Sequence, residues 1–145
     1  MTTVNVYITF PGNCKEAFDF YKSVFGGEYP YVGTFSEMPP QDGIPPISDS
    51  DKDKIMHMSL PISNETILMG SDTVEGFGDP PVVGNNFSIS VSTDSKEEAD
   101  RIFGELSVGG NVVMPMADTF WGSYFGMFTD KFGINWMVGH DDQPQ

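Results

Sequence analysis

Asn13-Cys14-Lys15-Glu16-Ala17-Phe18-Asp19-Phe20-Tyr21-Lys22-Ser23-Val24-Phe25-Gly26-Gly27 reads as one capped amphipathic helix, and its layout returns in Ser95-Lys96-Glu97-Glu98-Ala99-Asp100-Arg101-Ile102-Phe103-Gly104-Glu105-Leu106-Ser107-Val108-Gly109-Gly110. In the first copy Asn13 and Glu16 have capping-box spacing, Ala17, Phe18, Tyr21, Val24 and Phe25 recur at helical intervals, and Gly26-Gly27 stops the pattern. In the second, Ser95 and Glu98 take the cap positions, and Ala99, Ile102, Phe103 and Leu106 form the apolar stripe. Ser95, Glu98, Ala99 and Gly109 stand 82 residues after Asn13, Glu16, Ala17 and Gly27 respectively. So long a period marks a duplicated βα unit rather than a solenoid. The spacing predicts a helix over about residues 14–25 and a second ending at Gly109-Gly110.

Strand-like runs surround each helix. Val4 to Phe10 precedes the first and ends at Pro11-Gly12, and Tyr29 to Glu37, Lys54 to Pro61 and Thr66 to Met69 follow it. Asn86 to Ser92 precedes the second, and Asn111 to Met116, Trp121 to Thr129 and Ile134 to Val138 follow. Each half reads β-α-β-β-β, an α+β arrangement. Segment 38–53 carries Pro39, Pro40, Pro45 and Pro46 with Asp42, Asp49, Asp51 and Asp53, which rules out a central strand. It is expected to be a long exposed loop, either a lid over a pocket or a mobile excursion. The division is therefore a module at 1–75, a Pro/Gly-rich linker at 76–85, a second module at 86–141 and a tail at 142–145.

With 145 residues, 39% hydrophobic, the chain suits one folded domain or two fused half-domains. Twenty-one acidic against seven basic residues give a net charge of −14, which argues against nucleic acid and anionic membranes as partners. Cys14 is the single cysteine, so an intrachain disulfide and a cysteine-built zinc site are both excluded, and a reducing compartment fits. The N-terminus lacks a basic-then-apolar leader and no stretch is apolar enough to span a bilayer, so the expected location is cytoplasmic. Neither a dinucleotide-type G-x-G-x-x-G loop nor a G-x-S-x-G nucleophile elbow is present.

Few residues carry chemistry. His57 lies in the apolar run Ile55-Met56-His57-Met58-Ser59-Leu60, where alternation puts it on a face with Ile55 and Ser59. It is either a general acid/base or ligand partner, or a structural histidine. His140, near the acidic tail, reads as solvated. The hairpin from Asp118 to Trp136 is loaded with aromatics, Trp121, Ser123 and Phe125 on one face and Tyr124 and Phe128 on the other. Cys14 sits at a helix N-terminus, where the dipole acts to lower a thiol pKa.

Tandem β-α-β-β-β modules, with Tyr7-Ile8-Thr9-Phe10-Pro11-Gly12-Asn13-Cys14-Lys15-Glu16-Ala17-Phe18-Asp19-Phe20-Tyr21, Phe25-Gly26-Gly27-Glu28, Met56-His57 to Leu68-Met69-Gly70-Ser71-Asp72, and the hairpin ending at Trp136, resemble the vicinal oxygen chelate superfamily and its PhnB-like branch. The resemblance implies the glyoxalase/bleomycin resistance fold, two modules forming curved mixed sheets around a cup. In metal-using members it implies ligands near Val6, Leu68 or Met69, Phe87, and Trp136 or Met137. None of these is a good ligand for a divalent ion, so no metal and no cofactor are expected. Candidate ligand-binding residues on this fold are Tyr7, Met69, Trp121, Tyr124, Phe125 and Met137. Two functions compete: a metal-independent homodimer that binds an apolar or aromatic small molecule, and a lyase, isomerase or hydrolase of a small carbonyl compound with His57 as its acid/base and Tyr124 or Trp121 positioning the substrate.

Overall fold

A computed structural model describes residues 1–142, so residues 143–145 of the expected tail lie outside the described residues. The chain divides into two compact units, 1–82 and 83–145. Unit 1 runs β1 (Val6–Phe10), α1 (Cys14–Phe25), β2 (Tyr31–Thr34), a 3-10 turn (Phe35–Glu37), β3 (Ile55–Pro61) and β4 (Ile67–Asp72). Unit 2 runs β5 (Ile89–Ser92), α2 (Lys96–Leu106), β6 (Asn111–Asp118), β7 (Ser123–Thr129) and β8 (Asn135–Asp141). Each is a β-α-β-β-β module with a four-stranded mixed sheet, ordered β1-β4-β3-β2 in one and β5-β8-β7-β6 in the other. The outer pairs β1/β4 and β5/β8 are parallel and the remaining neighbours antiparallel. The α+β class and paired modules expected from the repeat are what the chain forms.

Each sheet has one face against its helix. In unit 1 Ile8, Phe10, Met58, Leu60 and Leu68 join Ala17, Phe18, Tyr21 and Val24 of α1 in a buried core. In unit 2 Ile89, Phe128, Trp136 and Val138 are buried with Ala99, Ile102 and Leu106 of α2. Glycine lets the layers close up. A Cβ at Gly70 would stand 2.8 Å from the Phe18 ring, and one at Gly126 2.8 Å from the Phe103 ring, so neither sheet tolerates a side chain under its helix aromatic there.

The two helices start differently. Ser95 is a true cap, its hydroxyl accepting from the Glu98 N–H at 3.1 Å. Asn13 is not: its side chain makes no cap bond, and its buried Oδ1 has no partner. The place is taken from across the unit by Asp72, at the end of β4. Its Oδ1 accepts from the Cys14 N–H at 2.9 Å and its Oδ2 from the Ile55 N–H at 2.8 Å. A capping-box spacing cannot reveal a cap delivered from 58 residues away. In unit 2 Asp130 does similar work for the Asp-Lys-Phe-Gly turn. Oδ1 accepts from the Phe132 and Ile134 N–H groups, and Oδ2 from the indole Nε1–H of buried Trp136.

Several boundaries move. The strand expected over Tyr29 to Glu37 stops at Thr34, because residues 35–37 turn as 3-10. Asp72 extends β4 past Met69, and β6 and β8 run on to Asp118 and Asp141. Trp121 is outside β7. Thr119 N–H donates to the Ser123 carbonyl, Gly122 has φ +90°, and Phe120 and Trp121 occupy the tip of that turn.

Replacing Asp72 by Ala strands two buried N–H groups and should cost about 2–5 kcal/mol, whereas Asn13→Ala should change stability by less than about 0.5 kcal/mol. Urea unfolding of both variants checks the contrast; equal losses would contradict the assignment of the cap.

Candidate functional site

The sheet face away from the helix is open in both units. In unit 1 the cross-strand row Tyr7, Met69, Ser59 and Tyr31 runs across all four strands on that face, and His57, paired with Gly33, lies one row along. Tyr7 and Tyr31, on the two edge strands, remain 49% and 48% exposed. Their rings bracket the imidazole of His57. Tyr7 stacks on it at 5.6 Å and 23°, and Tyr31 tilts over it at 5.9 Å and 38°. The Tyr7 hydroxyl and His57 Nδ1, 3.3 Å apart, share a hydrogen bond. Either atom can donate, because the phenol both donates and accepts, so the bond orients the imidazole ring while leaving Nε2 directed away from Tyr7.

Local backbone explains this clustering. Gly33 has no side chain to hold Tyr31 away: a Cβ there would stand 2.6 Å from the tyrosine oxygen. The β2/β3 register slips between Gly33 and Thr34, so that Thr34 pairs with Ile55 and Met56 is the extra residue of a bulge. Strict alternation, which put Ile55 beside His57, fails at that bulge. Ile55 is buried while His57 stays half-exposed.

In unit 2, Phe125, Met127 and Met137 fall on the open face, Met137 pairing with Met127. Trp121 meets Phe125 edge-on at 6.3 Å and Phe120 at 5.0 Å, extending this aromatic row out to the turn. Tyr124 points the other way, toward α2. Its hydroxyl donates to Asp100 at 2.6 Å and Lys96 sits 5.4 Å above its ring; the Asp100 bond, with burial, pushes its pKa up. Tyr124 is thus not part of the open face.

The structure therefore brings Tyr7, Met69 and His57 together in one unit and Trp121, Phe125 and Met137 in the other. Tyr31 was missed, since a tyrosine opening a strand carries no signal until its partner Gly33 is seen. The rings in contact with His57 are Tyr7 and Tyr31. His140 is not simply solvated: its Nδ1–H donates to the Thr93 carbonyl at 2.8 Å.

The donor set does not fit a divalent metal. Of the implied ligand positions, Val6, Leu68 and Trp136 lie on the helix side, Phe87 precedes β5, and Met69 and Met137 offer only thioethers to the open faces. Among the described residues no three His, Cys, Asp or Glu side chains gather in an arrangement able to hold one. No helix among them is long and apolar enough to cross a membrane.

Two open-faced mixed sheets of this topology define the glyoxalase/bleomycin resistance fold. A sequence profile of the Glyoxalase/Bleomycin resistance protein/Dioxygenase superfamily matches residues 3–138, and the chain belongs to that family. It is similar to Protein YjdN of Escherichia coli K12, 30% identical over 137 residues that cover 91% of this chain and 90% of that one. Among solved structures it is similar to PA1353 of Pseudomonas aeruginosa, at 40% identity and TM-score 0.83, covering 97% and 98% of the two chains. A PhnB protein of Bacillus cereus, described as a putative 3-demethylubiquinone-9 3-methyltransferase, superposes at TM-score 0.74 with 22% identity, covering 96% and 99%. At that identity it shows the fold alone.

Cys14, raised as a reactive thiol by its place at a helix start, is fully buried. Burial, and then the neighbouring Asp72 charge, push its pKa far up, overriding the dipole. A thiol reagent such as DTNB should leave the native protein essentially unlabelled and react with one thiol per chain in guanidinium; rapid labelling of native protein would contradict this burial.

Proposed function

We propose that this protein binds a flat apolar or aromatic small molecule on its open sheet faces, without a metal, as a homodimer. The observation that carries the reading is the Tyr7, His57 and Tyr31 cluster. Three rings stand half-exposed on a strand-built floor, with Met69 between them and no charged side chain bonded to the imidazole. Rigid aromatic walls with one oriented polar tip are what a small planar ligand requires. Met69, Met127 and Met137 add surface that adapts to ligand shape. The unmatched apolar exposure of unit 2, with Phe87 at 70% and Val112, Val113 and Met114 along the outer strand β6, supports a second copy as the covering partner.

Tyr7 also favours a second reading on the same face. A hydroxyl that orients an imidazole leaves Nε2 free to exchange a proton with a small carbonyl substrate, which would make His57 the acid/base of a lyase, isomerase or hydrolase. The binding reading is preferred because, among the described residues, no second titratable side chain other than the tyrosines contacts His57 to share the proton work.

Titration calorimetry against a panel of planar aromatic compounds tests the proposal. At least one should bind, and Tyr7→Ala and Tyr31→Ala should each weaken it tenfold or more, about 1.4 kcal/mol, with little loss of stability. Failure of every compound to bind would sink the binding reading; a bound compound that is converted, with conversion abolished by His57→Ala, would establish the enzymatic one. Sedimentation should give twice the 16.0 kDa chain mass, and a monomer at all micromolar concentrations would exclude the dimer.

A further inference from the structure

The excursion between β2 and β3 is neither a strand nor loose chain. Its base continues the β2/β3 ladder, Phe35 N–H donating to the Lys54 carbonyl and Ser36 N–H to the Lys52 carbonyl. Successive turns close at Gln41 to Ile44, Ser48 to Asp51 and Asp51 to Lys54. Phe35 packs against Phe77 at 5.6 Å, and a Cβ at Gly76 would stand 3.3 Å from the Pro45 ring, so the far side of the loop rests on the 74–77 turn.

A loop anchored at both ends usually packs its own side chains into the space it encloses. This one leaves a cavity of about 270 Å³, lined by Phe35, Met38, Ile44, Ile47 and the prolines 39, 40, 45 and 46. Proline fixes φ, so four of them stiffen the walls against the collapse that would otherwise fill such a space. A guest of the right size would exchange water for dispersion contacts with this apolar lining. The pocket is open to solvent on one side; set against the about 150 Å³ that a benzene-sized cavity needs, its volume suits a guest of roughly ten heavy atoms. The rim sets its charge. Lys52, the one cation lining the cavity, is held at 2.7 Å by Asp49, and the other polar liners, Ser36 and Gln41, are neutral.

We infer that the residue 35–52 excursion is a binding site of its own, separate from the open sheet face, for a small neutral aromatic or alicyclic molecule of indole size. Pro–ring and Phe35 contacts supply the affinity, and the neutralised rim disfavours an ionised guest. Occupancy would tie the loop more firmly to the 74–77 turn.

Indole titrated into the ¹⁵N-labelled full chain tests the site, read by amide shifts. Saturable shifts should concentrate in residues 35–52 and 74–77. Met38→Trp and Ile47→Trp, which place a ring in the cavity, should each weaken indole binding at least tenfold, while Tyr7→Ala, which removes a ring from the sheet face, should leave the loop's affinity unchanged. Shifts on β1 and β3 that Tyr7→Ala removes would report the sheet face and leave the inference standing; absence of saturable shifts in residues 35–52, or loop shifts that Tyr7→Ala abolishes, would overturn it. Should either tryptophan variant fail to fold, the location of the shifts in the unsubstituted chain decides by itself.

Discussion

Unit 1 depends on the buried carboxylate of Asp72. One side chain terminates β4, starts α1 and starts β3, because its two oxygens take the N–H groups of Cys14 and Ile55. A buried carboxylate is expensive unless hydrogen-bonded, and the pairing of one N–H at a helix start with one at a strand start repays it here. With β3 fixed at Ile55, the Met56 bulge follows immediately, and the bulge in turn sets which way His57 faces. Asp130 plays the corresponding part in unit 2, where it ties the β7–β8 turn to Trp136. Both modules thus use an acidic side chain where backbone pairing alone leaves donors unmatched.

The division of labour between faces follows. Helix-side positions are filled by large apolar groups and by glycines that admit a helix aromatic. Open-side positions hold rings and thioethers that a single chain leaves partly exposed. Such a face is costly to leave in water unless something covers it, which is why a ligand and a second copy are the proposed readings. The fold superposes on that of PA1353 at TM-score 0.83, but fold carries no chemistry by itself. In the proposed reading the chemistry rests on Tyr7, His57 and Tyr31.

Much of this was legible in the sequence. The 82-residue repeat gave both helices and the module pattern, since amphipathic periodicity and glycine stops are local signals. Ser95 as a cap was legible for the same reason, and Asn13 was misread for the same reason: the signature was present, but Asp72 reached the helix first. His57 was visible as a polar residue in an apolar run, yet its neighbours were not, because cross-strand pairing and the Met56 bulge are non-local. Tyr124 was placed with the pocket on aromatic content, and its bond to Asp100 on α2 shows it facing the helix. The prolines of the excursion ruled out a strand correctly. They did not reveal that the loop folds back to line an apolar pocket, which needs the contacts of Phe35 with Phe77 and of Pro45 with the Gly76 turn.

The central claim is that the open faces hold an organic molecule through rings and thioethers rather than through a metal. Native mass spectrometry of gently purified protein addresses it most directly, because subunit number, metal and small molecule are weighed together. The account expects a dimer carrying a small organic adduct and no divalent ion, with the adduct reduced in Tyr7→Ala. A stoichiometric metal on each chain, retained through dialysis, would contradict it.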